Sequence, residues 1–223
     1  MIGKGKSISH GVAALEYDLA KEINGQAVAT EIARHELYGC TGAEMVQEMK
    51  PYHIDFPNVK NNCLRFEVSP SIEESATFTD ADWAELGNDF MQRMGLANHQ
   101  YIIIRHSGTE SKKEQAHLHI LANRVSLSGE LYRDNWIGKK ATEAANAIAK
   151  ERNFVQSQDI GKVNKAEIKE AMDGVLKKMQ GFDFTKFKEE LGKRGFKVRE
   201  ARASTGKLNG YYVTARSGTE YKA

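Results

Sequence analysis

The chain has 223 residues, of which 40% are hydrophobic and 28% charged, and its formal net charge is +2. These values are ordinary for a globular protein and exclude a polycation. No apolar stretch approaches the roughly 20 residues of a membrane span, and the two cysteines form neither a disulfide scaffold nor a metal-ligand motif. We therefore expect a cytoplasmic protein without membrane contact.

The first half of the chain contains helical patterns and one strand pattern. Hydrophobic periodicity predicts a helix over 10–24, capped by Ser9, and a short helix over 43–49. Alternation with period two predicts a strand over 64–69. A capping box then opens a helix predicted over 79–94.

The second half adds a hairpin, further helices and a second hairpin. Strands are predicted over 101–106 and 116–125, joined by a polar turn, and an Ala-rich helix over 139–152. The C-terminal elements are a helix capped by Asn164 and Glu167, a helix over 184–194, and strands over 196–202 and 210–216. Because hairpins pair antiparallel, this order favours an α+β fold with helices packed on a central antiparallel sheet. Residues 153–163 are predicted to be a linker.

Three histidines are candidate metal ligands. His117 and His119 are two apart in a strand pattern, so their side chains point to the same face. His106 ends the preceding strand and joins them if the turn over 107–115 brings it to that face. Three neutral ligands would leave a metal its full charge and open positions for an anionic substrate such as a phosphate ester. The alternative is that these are hydrogen-bonded core histidines.

Glu67 and Asn123 are candidates to orient a ligand imidazole by accepting a hydrogen bond. For Glu67, an exposed strand position without a role is an equal alternative. Tyr17, in the first helix, is the candidate nucleophile. A phenol becomes a useful nucleophile beside a cation, such as the metal or Lys21. The alternative for Tyr17 is an ordinary residue at the edge of the core.

Basic residues mark two candidate contacts with a polyanion. Residues 193–216 carry an excess of positive charge, from which Arg199, Arg202 and Lys207 are candidate DNA contacts. Lys4 and Lys6 are candidate contacts to a phosphate backbone. In both places a solvated surface without a partner is the alternative.

Taken together, these motifs resemble a known family. They are the Gly-Lys-Gly-Lys-Ser start, Tyr17 in the first helix, and the runs Tyr101-Ile-Ile-Ile-Arg-His106 and His117-Leu-His119-Ile-Leu-Ala-Asn123-Arg-Val. The combination resembles the relaxase/mobilization nucleases, which are HUH (histidine-hydrophobic-histidine) endonucleases, and its single Tyr matches the single-tyrosine, MobA-like branch of plasmid or mobile-element relaxases.

The resemblance implies a fold, an activity and partners. The fold would be an antiparallel sheet of about five strands with packed helices, within a catalytic core over 1–155. Residues 156–223 would form a C-terminal helical and β-hairpin extension that contacts DNA. The enzyme would nick one strand at the nic site of an origin of transfer and later rejoin it. Its partners would be single-stranded or hairpin origin DNA, accessory mobilization proteins and a conjugation coupling protein.

The resemblance also assigns residue roles. Tyr17 would attack the scissile phosphate, giving a 5′-phosphotyrosyl link and a free 3′-hydroxyl. His106, His117 and His119 would hold a divalent metal, Mg²⁺ or Mn²⁺. His10 is a rival nucleophile, because some relaxases use a histidine. Two other functions remain open at this point: an HUH replication initiator or transposase, and a non-catalytic nucleic-acid-binding module.

Overall fold

A computed structural model describes residues 1–108, 115–216 and 218–222, without the side chain of Leu208. Residues 109–114 of the predicted polar turn therefore lie outside the described residues. The chain divides into two compact units, Met1–Ser157 and Gln158–Ala223. The assignment of catalysis to the first part of the chain and of DNA contact to the second stays a prediction. In the described part of the chain, no helix is long and apolar enough to cross a membrane.

The first unit is built on a five-stranded antiparallel sheet, which confirms the predicted fold class. In spatial order its strands are β1 (Ile2–Ile8), β5 (Cys63–Ser69), β7 (His117–Ser126), β6 (His99–His106) and β4 (Ala29–His35). Strands β5, β6 and β7 match predicted strands, whereas β1 and β4 were not predicted. A small separate hairpin joins β2 (Glu22–Ile23) to β3 (Gln26–Ala27).

Helices cover both faces of this sheet. On one face, α4 (Asp80–Arg93) and α5 (Ile137–Glu151) bury a core of large apolar side chains. On the other, α1 (Gly11–Leu19) and α2 (Gly42–Met49) cover part of the sheet. A 3₁₀ turn, Lys50–His53, follows α2, and a single helical turn, α3 (Ile72–Ser75), precedes α4.

Helix boundaries follow the capping chemistry where a cap is present. The capping box predicted for α4 is confirmed, because the Thr79 hydroxyl accepts from the Asp82 amide at 3.3 Å and the Asp82 carboxylate accepts from the Thr79 amide at 2.7 Å. The predicted helix over 10–24 is wrong at both ends. Its N-cap is His10 and not Ser9. Helix α1 ends at Leu19 and is followed by the β2–β3 hairpin.

The Gly-Lys-Gly-Lys start is the edge strand β1, and its alternation has a packing reason. A Cβ atom on Gly3 would lie 2.6 Å from the Ala145 Cβ of α5, and one on Gly5 would lie 2.7 Å from the Phe66 ring. The glycines therefore let α5 pack closely on β1. Lys4 and Lys6 project from the opposite face of the sheet, because side chains alternate along a strand.

The second unit has its own core. Helices α6 (Ser157–Leu176) and α7 (Phe184–Lys193) pack on a three-stranded antiparallel sheet of β8 (Lys197–Arg202), β9 (Leu208–Thr214) and β10 (Glu220–Lys222). The capping box predicted at Asn164 is wrong, because Asn164 is buried inside α6 and its amide donates to Tyr221 Oη at 3.1 Å. The linker predicted over 153–163 is wrong from Ser157 onward, where α6 begins.

Candidate metal centre

The pairing of β6 with β7 brings the three candidate histidines together. His106, the last residue of β6, pairs directly with His117, the first of β7, so their side chains share one face with that of His119. One nitrogen from each ring can be chosen so that the three lie within 4.8 Å of one another. Nitrogens bound to one ion at about 2.0–2.1 Å are separated by about 3–3.5 Å. Small ring rotations would therefore complete a three-nitrogen site.

Hydrogen bonds decide which nitrogen each of two rings presents. His106 donates from Nε2 to the Asp18 backbone carbonyl at 2.7 Å, which leaves its Nδ1 as the ligand atom. His117 donates from Nδ1 to the Gln115 carbonyl at 3.0 Å, which leaves its Nε2. These carbonyls can only accept, so they fix both tautomers. Metal-binding histidines usually donate their second nitrogen in this way.

His119 lies between a carboxylate and a guanidinium. Its Nδ1 is 3.3 Å from Arg65 Nη2 and 3.7 Å from Asp18 Oδ1. With Nδ1 accepting from Arg65, the His119 Nε2–H donates to His117 Nε2 at 3.1 Å. To offer Nε2 to an ion, His119 must instead carry its proton on Nδ1, facing the Asp18 carboxylate. Metal binding through Nε2 therefore requires the Arg65 donor to turn away from Nδ1 and the Asp18 carboxylate, now 3.7 Å away, to accept the Nδ1 proton.

Asp18 is the principal residue that the sequence analysis missed. It is 1% exposed, and its carboxylate accepts from Arg65 Nε at 3.0 Å and from Arg65 Nη2. A buried carboxylate requires such a partner. Its position directly after Tyr17 was the one available signal, and that signal does not distinguish a buried aspartate from a solvated one.

Burial changes the ionisation of two histidines of the cluster and of Asp18. Burial lowers the pKa of His106, although its bond to the Asp18 carbonyl opposes the shift. Burial, with the other two histidines, lowers the pKa of His119 to about 2. Burial also raises the pKa of Asp18, against the opposing effect of Arg65. Neutral imidazoles are the form that binds metals, so the donor set fits a divalent cation.

Tyr17 lies at the end of α1 that faces this cluster, one residue before Asp18. Its side chain is 56% exposed, and Lys21 Nζ donates to the phenol oxygen at 2.7 Å. The rival nucleophile, His10, is at the other end of α1. Seven residues of helix separate the two along the axis by about 10 Å. The structure thus connects the Tyr17 end of α1, and not the His10 end, to the histidines.

A cavity of about 210 Å³ adjoins His119 on the open part of the sheet face. Its lining includes Lys4, Lys6, Arg65 and Glu67. The Glu67 carboxylate accepts from Lys4 Nζ at 3.0 Å, although Glu67 pairs with His119 in register across the strands. The cations of β1 therefore lie beside the histidine cluster.

The other predicted site residues lie elsewhere. Asn123 is four residues from His119, and its amide group bonds to His53 at 2.7 Å and to Gln100 at 2.9 Å. In the second unit, Arg199 is paired with Glu220 and Arg202 with Glu200, while Lys207 is an exposed residue of the β8–β9 turn. Their roles in DNA binding stay predictions.

The geometry can be compared with known proteins. The model of the family described as "Relaxase: MobA/VirD2-like, nuclease domain" matches residues 17–154, more than half of the chain. The chain belongs to this relaxase family. The matched segment begins at Tyr17 and includes all three histidines, so these four residues fall within the segment that matches the nuclease domain, whereas Lys4, Lys6 and His10 precede it.

Comparisons of the relaxase with individual proteins give weaker similarities. No curated protein matches it. Two similar solved structures are of the conjugative relaxase TrwC in complex with oriT DNA, one metal-free and one metal-bound. They share 10% and 11% sequence identity with this chain, each with a TM-score of 0.41, and each alignment covers 93% of this chain and 74% of that one. The family assignment rests on the family model alone.

Proposed function

We propose that this relaxase nicks single-stranded DNA at an origin of transfer through Tyr17, and that it rejoins the strand by the reverse reaction. The observation that carries the proposal is the hydrogen bond from His106 to the Asp18 carbonyl at 2.7 Å. It attaches the end of α1 that carries Tyr17 to the cluster of three histidines. Nucleophile and candidate metal ligands therefore come from one rigid arrangement of α1, β6 and β7.

The proposed reaction is a transesterification. The Tyr17 oxygen forms a bond to the scissile phosphorus, and the bond from phosphorus to the 3′ oxygen breaks. The phenol gives up one proton and the leaving 3′ oxygen takes up one, so the step is balanced. The product is a 5′-phosphotyrosyl link with a free 3′-hydroxyl. Because one phosphodiester replaces another, attack by the 3′-hydroxyl can reverse the step without an energy source.

His106, His117 and His119 would hold a divalent metal, for which we propose Mg²⁺ or Mn²⁺. The bound ion would supply charge stabilisation to the non-bridging phosphate oxygens. The three ligands are neutral, so they would leave its positive charge undiminished. Asp18 would hold the Nδ1 proton of His119, and the carbonyls of Asp18 and Gln115 hold the protons of the other two rings.

Residues around the cluster would position the strand. Lys21 donates a hydrogen bond to the attacking oxygen and places positive charge beside it. Lys4 and Lys6 line the cavity next to His119, where flanking phosphates would pass. We propose Arg199, Arg202 and Lys207 as further DNA contacts within a C-terminal extension over 156–223. Accessory mobilization proteins and a coupling protein complete the proposed set of partners.

The experiment is covalent capture under denaturing conditions. The full chain is incubated with Mn²⁺ and a library of single-stranded oligonucleotides labelled at the 3′ end, because the 5′-phosphotyrosyl link retains the fragment that carries that end. The label that stays on the denatured protein is measured. We expect an adduct with the wild type and with Tyr38→Phe, and its absence with Tyr17→Phe. Labelling of Tyr17→Phe equal to the wild type, or an unlabelled wild type, would contradict the proposal.

A further inference from the structure

Trp136 is an exposed tryptophan in a strained backbone conformation. Its side chain is 81% exposed, and its backbone has φ 59° and ψ 28° immediately before α5. A bulky residue in the left-handed region is uncommon, and such strain persists only where the surroundings enforce it. Neither the histidine cluster nor Tyr17 requires this residue.

The segment that carries Trp136 is held by several hydrogen bonds. Arg124 donates from Nη2 to the Asp134 carboxylate at 2.6 Å, and Lys140 donates to the Arg133 carbonyl at 2.7 Å. The Ile137 amide donates to the Asp134 carbonyl at 3.1 Å. The indole is thus presented to solvent on a fixed support, so little conformational entropy is lost when a ligand covers it.

The charge around Trp136 favours a polyanion. Arg133 and Lys139, three residues to either side, are exposed, and the carboxylate of Asp134 is already bound by Arg124. Lys139 Nζ lies 3.8 Å from Glu143 Oε1. Both side chains are exposed, so breaking this ion pair requires little free energy. A ring among cations is the arrangement that single-stranded nucleic acid uses, with bases on the aromatic face and phosphates on the basic side chains.

The position of Trp136 also relates it to the histidine cluster. It precedes Gly138, where an added Cβ would lie 3.4 Å from the Gly5 carbonyl, so this start of α5 rests on the edge strand β1. Lys4 and Lys6 flank Gly5 and line the cavity beside His119. Strand β1 is two strands from β7, a distance of about 10 Å. Helix α5 packs on the face of the sheet opposite Lys4, Lys6 and His119, so a DNA strand that leaves the cluster across β1 reaches Trp136 where it turns over this edge.

We infer that Trp136 stacks on a base of the single-stranded DNA where the strand passes over the edge of the sheet, with Arg133 and Lys139 beside the phosphates. The inference rests on the proposed function, because the base belongs to the same strand that Tyr17 would cut. It adds a contact outside the reacting centre, which holds the strand without taking part in the chemistry.

Intrinsic fluorescence tests this in the full chain, because the other tryptophan, Trp83, is buried at 2% exposure. Titration with a single-stranded oligonucleotide should quench the emission of Trp136. Trp136→Ala should weaken binding, measured by anisotropy of labelled DNA, by about 5- to 140-fold, the range expected for loss of one stacked base. Trp136→Phe should remove the quenching and retain most of the affinity.

Tyr38→Ala is the matched control, because Tyr38 is a 76% exposed aromatic residue beside Glu36 and Glu48. It should leave the affinity unchanged. Normal DNA binding by Trp136→Ala, with no quenching in the wild type, would overturn the inference and leave the proposed function standing. If the quenching depends on the protein concentration and not on the DNA concentration, Trp136 contacts another protein molecule. This result would also overturn the inference. Absence of DNA binding by the wild type would overturn both.

Discussion

The Asp18 backbone carbonyl accepts a hydrogen bond from His106 Nε2 at 2.7 Å, while the Asp18 carboxylate lies 3.7 Å from His119 Nδ1. One residue of α1 therefore contacts two of the three candidate metal ligands through different groups. Since Tyr17 precedes it, the geometry of the proposed nucleophile and that of the candidate metal site depend on the same turn of helix.

Loss of the Asp18 carboxylate should weaken metal binding. Asp18→Asn keeps the size of the side chain and the backbone carbonyl but removes the charge that would accept the His119 Nδ1 proton. We expect about a 10- to 100-fold lower affinity for Mn²⁺, measured by calorimetry. Asp89→Asn is the matched control, because that carboxylate is paired with Arg93 on α4, outside the site. Equal losses in the two variants would show that Asp18 has no special role.

Removal of two ligands should abolish metal binding altogether. In the wild type, metal at 100 times its dissociation constant should stabilise the fold by about 2.7 kcal/mol, which thermal unfolding detects as a higher Tm. The double variant His117→Ala/His119→Ala should show no such increase, whereas His10→Ala should behave as the wild type. A metal-dependent increase that survives in the double variant would place the ion elsewhere.

The metal-free protein should lose stability in mild acid. Burial lowers the pKa of His99, His106 and His119 in the folded chain. In the unfolded chain these side chains take up protons near pH 6.5, so the unfolded state binds more protons as the pH falls. The contribution of these histidines to the free energy of unfolding is thus fully present above about pH 6.5. Below that pH it declines by at most about 1.4 kcal/mol per pH unit for each group.

Thermal unfolding with a chelator between pH 7.5 and 5 measures this effect. Replacement of His119 by Asn should make the decline shallower, because one of the three groups is removed. A Tm that stays constant or rises toward pH 5 in the wild type would contradict the lowered pKa values of His99, His106 and His119.

The second unit should contribute to the salt dependence of DNA binding. Arg199 and Arg202 are held in exposed ion pairs, which are worth only about 0–1 kcal/mol and can exchange their carboxylates for phosphates. Arg199→Ala/Arg202→Ala should reduce the log–log salt slope by about 1.4 for single-stranded DNA. The double variant Lys50→Ala/Lys60→Ala, which replaces two exposed lysines of the first unit, serves as the control. An unchanged slope would remove both arginines from the interface.

Local patterns predicted much of the central fold. The Thr79–Asp82 capping box and the β6–β7 hairpin rely on residues close in sequence, so the chain alone determines them. Strand β1 was not predicted because glycine and lysine are poor strand formers. Its glycines are explained by the close packing of α5, which lies more than 130 residues away in sequence. The helix predicted over 10–24 failed because Asn24 and Gly25 form the turn of the β2–β3 hairpin and do not end the helix, which stops at Leu19.

The candidate site was also predicted only in part from local patterns. Alternation along β7 and the position of His106 predicted which histidines meet, and the register brings them onto one face. Asp18 could not be predicted, because its burial depends on Arg65, 47 residues away, and on the histidines beyond it. The left-handed backbone at Trp136 likewise lies between residues held by bonds from Arg124 and Lys140, which sequence patterns do not reveal.

The most direct test of the central claim is mass spectrometry of the covalent protein–DNA adduct. After denaturation and digestion of both components, we expect a nucleotide phosphate attached to the peptide that contains Tyr17, at the tyrosine itself. Fragmentation separates this from attachment at His10, the rival at the other end of α1. A nucleotide on His10, or on any residue other than Tyr17, would contradict the account.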